Sequence, residues 1–237
     1  MHEKWMQARR CGREKRVPLD FFTPWKRLTS HDKFTSLHQF ALQALDYKTP
    51  YEGLSVRDLP ARRRSVEHVW PRSKTVPDMS EALAMQARSD PLGWVVATRR
   101  ANSQRGNLPL VIWRLDSEGV SGDDGNFAML LKEGPITIDG ERHYIFPLEQ
   151  RARLARKWLY MRATYDRAVA PISRAQYSNR ANIVALAKSF PVQEAETSMN
   201  RLHKTAFGLT NPLLDPNPDT YYDDPEWRAM VFGCPKE

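Results

Sequence analysis

The stretch Ser65-Val-Glu-His-Val-Trp70, which Pro71 closes, decides how the fold of this chain is interpreted. Its valines and tryptophan favour a short β-strand, and a proline ends a strand because it cannot donate a backbone hydrogen bond. Consecutive strand residues point to opposite faces of a sheet, so Glu67 and His68 are expected to face opposite sides. A Glu-His pair also arises by chance, so its meaning depends on the rest of the chain.

Around this strand the sequence predicts further short strands mixed with helices. Helical spacing of apolar residues predicts a helix from Ser30, and a capping-box pattern at Asp78 and Glu81 predicts another to residue 88. Short strands are expected at 94–97, 110–113, 128–131 and 136–138, and a helix is expected to start at Arg100. This mixed order predicts an α+β fold rather than a parallel βαβ sheet.

The clearest helix is expected at 151–165, where large apolar residues recur at steps of four, three and four. Arginines and a lysine fill other positions and are expected to form a charged face that binds phosphates, with simple solvation as the alternative. A last helix is predicted at 192–206, where Gly208 can end it. After Asn211, prolines, acids and tyrosines predict an extended or partly disordered tail.

The length and charge of the chain limit its class. Its 237 residues are enough for one well-filled domain and short for two. We expect a basic N-terminal arm at 1–29, one domain at 30–212 and an acidic, Pro- and Tyr-rich tail at 213–237. Lys and Arg number 36 against 28 Asp and Glu, a net charge of +8. This surplus attracts polyanions, so nucleic acid is a candidate partner and a merely soluble basic protein is the alternative.

The cysteines and the N-terminus indicate a cellular setting. Cys11 and Cys234 cannot build a disulfide framework, and their spacing matches no zinc-ligand pattern. The basic N-terminus lacks the apolar run of a secretory signal, and no stretch approaches the roughly 18 apolar residues of a membrane span. An intracellular or virus-associated protein without a membrane partner is therefore expected rather than a secreted one.

Four motifs follow one another along the chain. The first is Val-Glu-His-Val-Trp-Pro at 66–71, and the second places Asp90 twelve residues before Asn-Ser-Gln-Arg-Gly-Asn at 102–107. The third is Arg-Ala-Arg-Leu-Ala-Arg-Lys-Trp-Leu-Tyr-Met at 151–161. The fourth joins Phe-Pro-Val at 190–192 to Gly-Leu-Thr-Asn-Pro at 208–212. Together they resemble the W-E-H-x-x-P, N-x-x-R-G-N and later motifs of the endonuclease I family, whose members are ββα-metal (His-Me finger) nucleases.

The resemblance implies a single-domain ββα-metal core with surrounding helices and a Mg²⁺-dependent endonuclease that leaves 5′-phosphate ends. Glu67 and Asn102 are the implied metal ligands through carboxylate and amide oxygens, and Mn²⁺ or Ca²⁺ is expected to substitute in binding. His68 is the implied general base, because an imidazole with a pKa of about 6.5 removes protons close to neutral pH. Double-stranded DNA is the expected main substrate, with RNA as a second candidate.

The sequence departs from the family pattern near the site. Leu92 and Gly93 stand where the family usually has His and Asn, and Ser65-Val66 replaces the usual tryptophan before the Glu-His pair. These changes leave open a second class, a basic nucleic-acid-binding protein on a decayed nuclease fold. A third interpretation is a selective nuclease, such as a homing, structure-specific or virus-packaged enzyme.

Arginines are the candidate contacts to nucleic acid. The family's phosphate-contacting arginine has Arg72 and Arg88 as local candidates, and Arg105 of the second motif is expected to act in catalysis. The expected nucleic-acid contacts are Arg62, Arg63, Arg72, Arg99, Arg100, Arg151, Arg153 and Arg156. No segment resembles a base-reading helix, so binding is expected to be salt-sensitive with little sequence specificity.

Overall fold

The structure is a computed structural model that describes residues 30–44, 46–69, 85, 87–106, 108, 134–138, 141–145, 148–165, 180–215 and 219–225. The expected arm at 1–29, Arg72 and the strands expected at 110–113 and 128–131 lie outside these residues. The helix expected at 78–88 lies mostly outside them as well, although residues 85 and 87–89 are helical.

Helices and short strands are mixed along the described residues. The helices are α1 (Ser30–Gln43), α2 (Arg99–Arg105), α3 (Leu148–Tyr165), α4 (Arg180–Lys188), α5 (Glu194–Phe207) and α6 (Asp219–Tyr222). The strands are β1 (Arg64–His68), β2 (Trp94–Thr98), β3 (Gly134–Ile138) and β4 (Glu141–Ile145). Short 3-10 helices occur at Ala61–Arg63, Pro91–Gly93 and Pro212–Leu214. The predicted α+β class is confirmed at this level.

Strands β1 and β2 form an antiparallel pair in which Glu67 lies opposite Val95 and His68 lies opposite Trp94. Helix α2 follows β2 directly, because the Thr98 side chain caps it by accepting a hydrogen bond of 3.1 Å from the backbone N–H of Ala101. This succession of strand, strand and helix carries the first two sequence motifs and packs them against each other.

Strands β3 and β4 form a second antiparallel pair, from Gly134 opposite Ile145 to Ile138 opposite Glu141. The strand expected at 136–138 lies within β3. Strand β3 contacts α2, so this second sheet lies on the side of the molecule that carries the second motif.

Helix α3 is the centre of the main core. All residues from 150 to 165 are buried, including the four predicted apolar residues, and the helix packs mainly against α4. The 3-10 helices Pro91–Gly93 and Pro212–Leu214 also pack against α3. The core continues past residue 212, since Leu213 and Tyr222 are 0% and 1% exposed.

The charged residues of α3 do not form the exposed face that the sequence led us to expect. Arg151, Arg153 and Arg156 are only 6%, 4% and 1% exposed, so as described they do not present a phosphate-binding face. The reason is that α3 is covered on all sides, and buried guanidinium groups are tolerated where carboxylates and carbonyls take their hydrogen bonds.

Arg156 illustrates this arrangement most completely. Its Nε and Nη2 donate to the two carboxylate oxygens of Glu196 on α5, at 3.1 and 2.7 Å. Its Nη1 donates to the carbonyl oxygens of Ala187 and Phe190, at 2.6 and 2.9 Å. The guanidinium of Arg153 instead lies 4.1 Å from the centre of the Tyr47 ring. These arginines therefore tie α3 to its neighbours.

The last long helix ends where the sequence predicts. Gly208 follows α5 with φ 70°, in the left-handed region, and its N–H donates to the carbonyl oxygen of Lys204 at 2.9 Å. Glycine suits this position because it has no Cβ to clash. Among the described helices, none combines the length and the apolar composition that crossing a membrane requires.

Candidate active site

The packing of α2 against β1 brings the described residues of the first two motifs into contact. Ser65 and Glu67 share the face of β1 that meets α2. The Asn102 amide nitrogen donates to the Ser65 hydroxyl at 2.8 Å and to the Val66 carbonyl oxygen at 3.1 Å. Because a carbonyl only accepts hydrogen bonds, the nitrogen of the Asn102 amide must face the strand, and its oxygen faces away from these two partners.

Glu67 is a buried carboxylate held by two donors. It is 4% exposed, and its Oε1 accepts a hydrogen bond of 2.8 Å from the Tyr51 hydroxyl. The same oxygen forms an ion pair of 2.5 Å with Arg105 Nη1. Burial raises the pKa of Glu67, while the Arg105 charge and the two hydrogen bonds oppose that rise. Its Oε2 makes no hydrogen bond with the described residues.

Arg105 lies beneath this carboxylate rather than at the surface. It is 1% exposed and donates to the carbonyl oxygens of His68 and Val69, at 2.9 and 2.8 Å. We expected this arginine to act in catalysis beside the phosphate. The structure instead buries it, where it holds Glu67 and the end of β1.

His68 lies at the neighbouring position of the strand, on the opposite face from Glu67. Its Nε2 is 2.9 Å from the carbonyl oxygen of Arg88, and its ring packs edge-on against Trp94 with centroids 5.5 Å apart. Since that carbonyl only accepts, Nε2 carries the proton of the neutral ring. The other ring nitrogen, Nδ1, is therefore the basic atom of His68.

The turn into β2 is built around Asp90, the first residue of the second motif. Its side chain is fully buried and accepts hydrogen bonds from the hydroxyls of Tyr160 and Tyr165, at 2.9 and 2.7 Å. It also accepts one from the backbone N–H of Leu92, at 2.8 Å. Burial raises the pKa of this carboxyl, and those hydrogen bonds oppose the rise. Asp90 thus fixes the 3-10 helix that precedes β2.

The two residues that differ from the family pattern serve packing here. Leu92 is 1% exposed and lies in the main core. A Cβ added to Gly93 would come within 2.7 Å of the Met161 sulfur on α3. The thioether therefore occupies the space that a side chain at 93 would need, which explains how the turn remains filled without the usual His and Asn.

A cleft of about 770 Å³ opens beside Tyr51 and the start of α2, and its lining does not include Glu67, His68 or Asn102. Four exposed arginines line it: Arg62 and Arg63 from the 3-10 helix before β1, and Arg99 and Arg100 from the start of α2. Tyr51, whose hydroxyl contacts Glu67, lies in the same lining. The structure thus brings together four of the eight arginines expected to contact nucleic acid.

The expected metal ligands fit a hard divalent cation by their chemistry. Glu67 contributes a carboxylate oxygen without a hydrogen-bond partner among the described residues, and Asn102 contributes an amide oxygen. Oxygen atoms of these two kinds are the ligands that Mg²⁺ prefers. In the described part of the chain no three His, Cys, Asp or Glu side chains cluster as a metal site. The expected site has only one such residue, Glu67, beside the amide of Asn102, so it would not form a cluster of this kind.

Two residues of the site were missed from the sequence. Tyr51 and Glu52 lie in the loop after α1, and Glu52 accepts a hydrogen bond from the Thr98 hydroxyl at the start of α2. Neither residue belongs to a motif, and their proximity to β1 and α2 arises only from the tertiary fold. No protein-family model matches the chain, and a search of curated proteins finds no match either.

Proposed function

We propose that this protein is a metal-dependent endonuclease that hydrolyses DNA phosphodiester bonds, on a ββα-metal core of the kind found in the endonuclease I family. The observation that carries this proposal is the contact between β1 and α2. It holds Asn102 against Ser65 and Val66, the residues that precede Glu67 and His68 on β1. Tyr51, which contacts Glu67, also lines the arginine-rich cleft.

The order of elements supports the same core. An antiparallel pair, β1 with β2, is followed at once by α2, which packs on both strands. In this arrangement the carboxylate and the imidazole come from the end of one strand, and the amide comes from the helix.

His68 supplies the base of the proposed reaction. With Nε2 donating to the Arg88 carbonyl, Nδ1 is the nitrogen that takes the proton from the attacking water. A bound Mg²⁺ would neutralise charge on the phosphate and on the leaving 3′ oxygen. Glu67 and Asn102 are the residues that would hold it. Attack on phosphorus with departure of the 3′ oxygen leaves a 5′ phosphate.

The cleft supports a polyanionic substrate bound through its backbone. Four guanidinium groups there match phosphate oxygens in charge and in hydrogen-bond geometry. Contacts to phosphate carry no sequence information, so we propose weak sequence discrimination. Double-stranded DNA is the proposed main substrate, and RNA is the second candidate to assay.

The test is cleavage of a supercoiled plasmid by the wild type and by His68→Ala, each with Mg²⁺ and with EDTA. We expect nicking and linearisation by the wild type with Mg²⁺ alone. We expect His68→Ala to bind DNA in a gel shift and to cut it at least about a hundredfold more slowly, the loss typical of a missing general base.

His38→Ala is the matched control, because His38 is a partly buried histidine on α1 outside the site. It is expected to cleave as the wild type does. Intact plasmid in every lane with a retained gel shift would reject the nuclease proposal and favour a nucleic-acid-binding protein on a decayed nuclease fold.

A further inference from the structure

Tyr51 connects the arginine cleft to the Glu67 carboxylate. The residue is 1% exposed, its side chain lies in the lining of the cleft, and its hydroxyl donates to Glu67 Oε1 at 2.8 Å. None of the four sequence motifs contains it, and its position 16 residues before Glu67 has no regular spacing to explain it.

The loop that carries Tyr51 is fixed by its own hydrogen bonds. The Thr49 N–H donates to the Leu54 carbonyl at 2.8 Å, and the Gly53 N–H donates to the Thr49 carbonyl at 2.9 Å. Gly53 has φ 65°, which closes this turn without Cβ strain. A turn held in this way fixes the backbone of Tyr51 and limits the orientations of its side chain, as a residue that orients Glu67 requires.

We propose that Tyr51 is a positioning residue for the metal site, because it saturates Glu67 Oε1 together with Arg105 and directs the cation to Oε2. This inference rests on the proposed function. An ionised carboxylate has about four acceptor sites, two on each oxygen. Two donors on Oε1 therefore occupy that oxygen and leave Oε2 for a ligand.

The two donors act differently on Glu67. Arg105 neutralises the carboxylate and also holds the carbonyls of His68 and Val69, so its removal disturbs the strand. The Tyr51 hydroxyl carries no charge and donates a hydrogen bond to Glu67 Oε1, so removing it changes the hydrogen bonding of the carboxylate and leaves the net charge of the site unchanged. Tyr51→Phe is therefore the informative variant.

The experiment measures binding of Mn²⁺, a paramagnetic substitute for Mg²⁺, by electron paramagnetic resonance on the full chain. Loss of a hydrogen bond to a metal ligand typically weakens metal affinity about 10- to 100-fold. We expect Tyr51→Phe to raise the Mn²⁺ dissociation constant about tenfold. The Mg²⁺ concentration for half-maximal cleavage should rise in parallel, with DNA affinity in EDTA unchanged and cleavage recovering at saturating Mg²⁺.

Tyr47→Phe is the control, because Tyr47 is also a buried tyrosine of this loop and has no hydrogen bond to Glu67. It should bind Mn²⁺ as the wild type does. Equal Mn²⁺ affinity in Tyr51→Phe and wild type would overturn the inference, as would a wild type that binds no Mn²⁺. A wild type that binds Mn²⁺ tightly and cleaves no nucleic acid would reject the proposed function and still allow this comparison.

Discussion

At the scale of single residues, burial sets the properties of the titratable groups around the site. Burial raises the pKa of Glu67 and of Asp90, and it lowers the pKa of Lys157 to about 7. Each group nevertheless has a defined partner; Lys157, for example, donates to the Leu92 carbonyl oxygen at 2.8 Å. These partners come from distant parts of the chain. The sequence therefore predicts the candidate ligands, but it does not predict that Arg105 is buried.

His203 gives the clearest prediction at this scale. It is 1% exposed, and burial, assisted by the Lys157 charge, lowers its pKa to about 3, although a contact with the Met199 carbonyl opposes the shift. The unfolded chain keeps an ordinary pKa of about 6.5, so the unfolded state binds more protons between these values. The free energy of unfolding should therefore fall as the pH drops from about 6.5 toward 3.

The measurement is urea unfolding of the wild type and of His203→Gln from about pH 7.5 to about pH 5. The raised pKa values of Glu67 and Asp90 act in the opposite direction and are common to both proteins. We expect the wild type to lose about 2 kcal/mol more than the variant across this interval. Parallel profiles would mean that folding does not lower the pKa of His203, and would contradict the prediction.

At the scale of elements, the apolar periodicity predicted α3 correctly, but it did not predict what surrounds the helix. Hydrophobic spacing reports one face of a helix, whereas residues 150–165 of α3 are all buried, in part against α4 and two 3-10 helices. The arginines at its other positions are therefore buried with partners on other elements, among them Glu196 on α5. Glu196 is 40 residues away from Arg156 in the sequence, so the basic run of α3 gives no sign that this acid will neutralise one of its arginines.

The bidentate pair of Arg156 with Glu196 is expected to be essential for docking α5 on α3. Both side chains are about 97–98% buried, with 2.7 Å between Nη2 and Oε2. Arg156→Met would leave the Glu196 carboxylate uncompensated, and removing one partner of a buried pair costs about 3–5 kcal/mol. We expect a loss of that size in urea unfolding, with DNA affinity unchanged at temperatures where the variant is folded.

Lys188→Met is the matched control for the pair. Lys188 lies 3.8 Å from Asp223 in an ion pair whose side chains are 36% and 72% exposed. Exposed pairs contribute less than about 1 kcal/mol, so this change should be small. A loss in Arg156→Met no larger than in the control would contradict a docking role, and a selective loss of DNA binding would restore Arg156 as a phosphate contact.

At the scale of the whole molecule, the cleft is formed by segments that are far apart in sequence. The 3-10 helix before β1 and the start of α2 become neighbours because β1 pairs with β2, which leads directly into α2. The sequence identified Arg62, Arg63, Arg99 and Arg100 as candidate nucleic-acid contacts, but it did not predict that they would line one cleft. The loop that brings Tyr51 into the same cleft has no periodicity or motif, so only the fold reveals it.

If the cleft binds the phosphate backbone, its arginines should set the salt dependence of DNA binding. Each phosphate neutralised by the protein contributes about 0.9 to the slope of log affinity against log salt concentration. Arg62→Ala/Arg99→Ala removes one guanidinium from each segment of the cleft. We expect this double variant to lower the magnitude of the slope by about 1 to 2 for DNA of any sequence, as measured by fluorescence anisotropy in EDTA.

The control for that experiment is Arg57→Ala/Arg201→Ala, which removes the same charge from two exposed arginines outside the cleft lining. Net charge alone would reduce the slope equally in the two double variants, because long-range attraction depends on the summed charge. Contacts in the cleft would instead reduce it only in the first. Equal slopes in both variants and the wild type would place the DNA elsewhere on the protein, and the cleft would then lose its part in the proposed reaction.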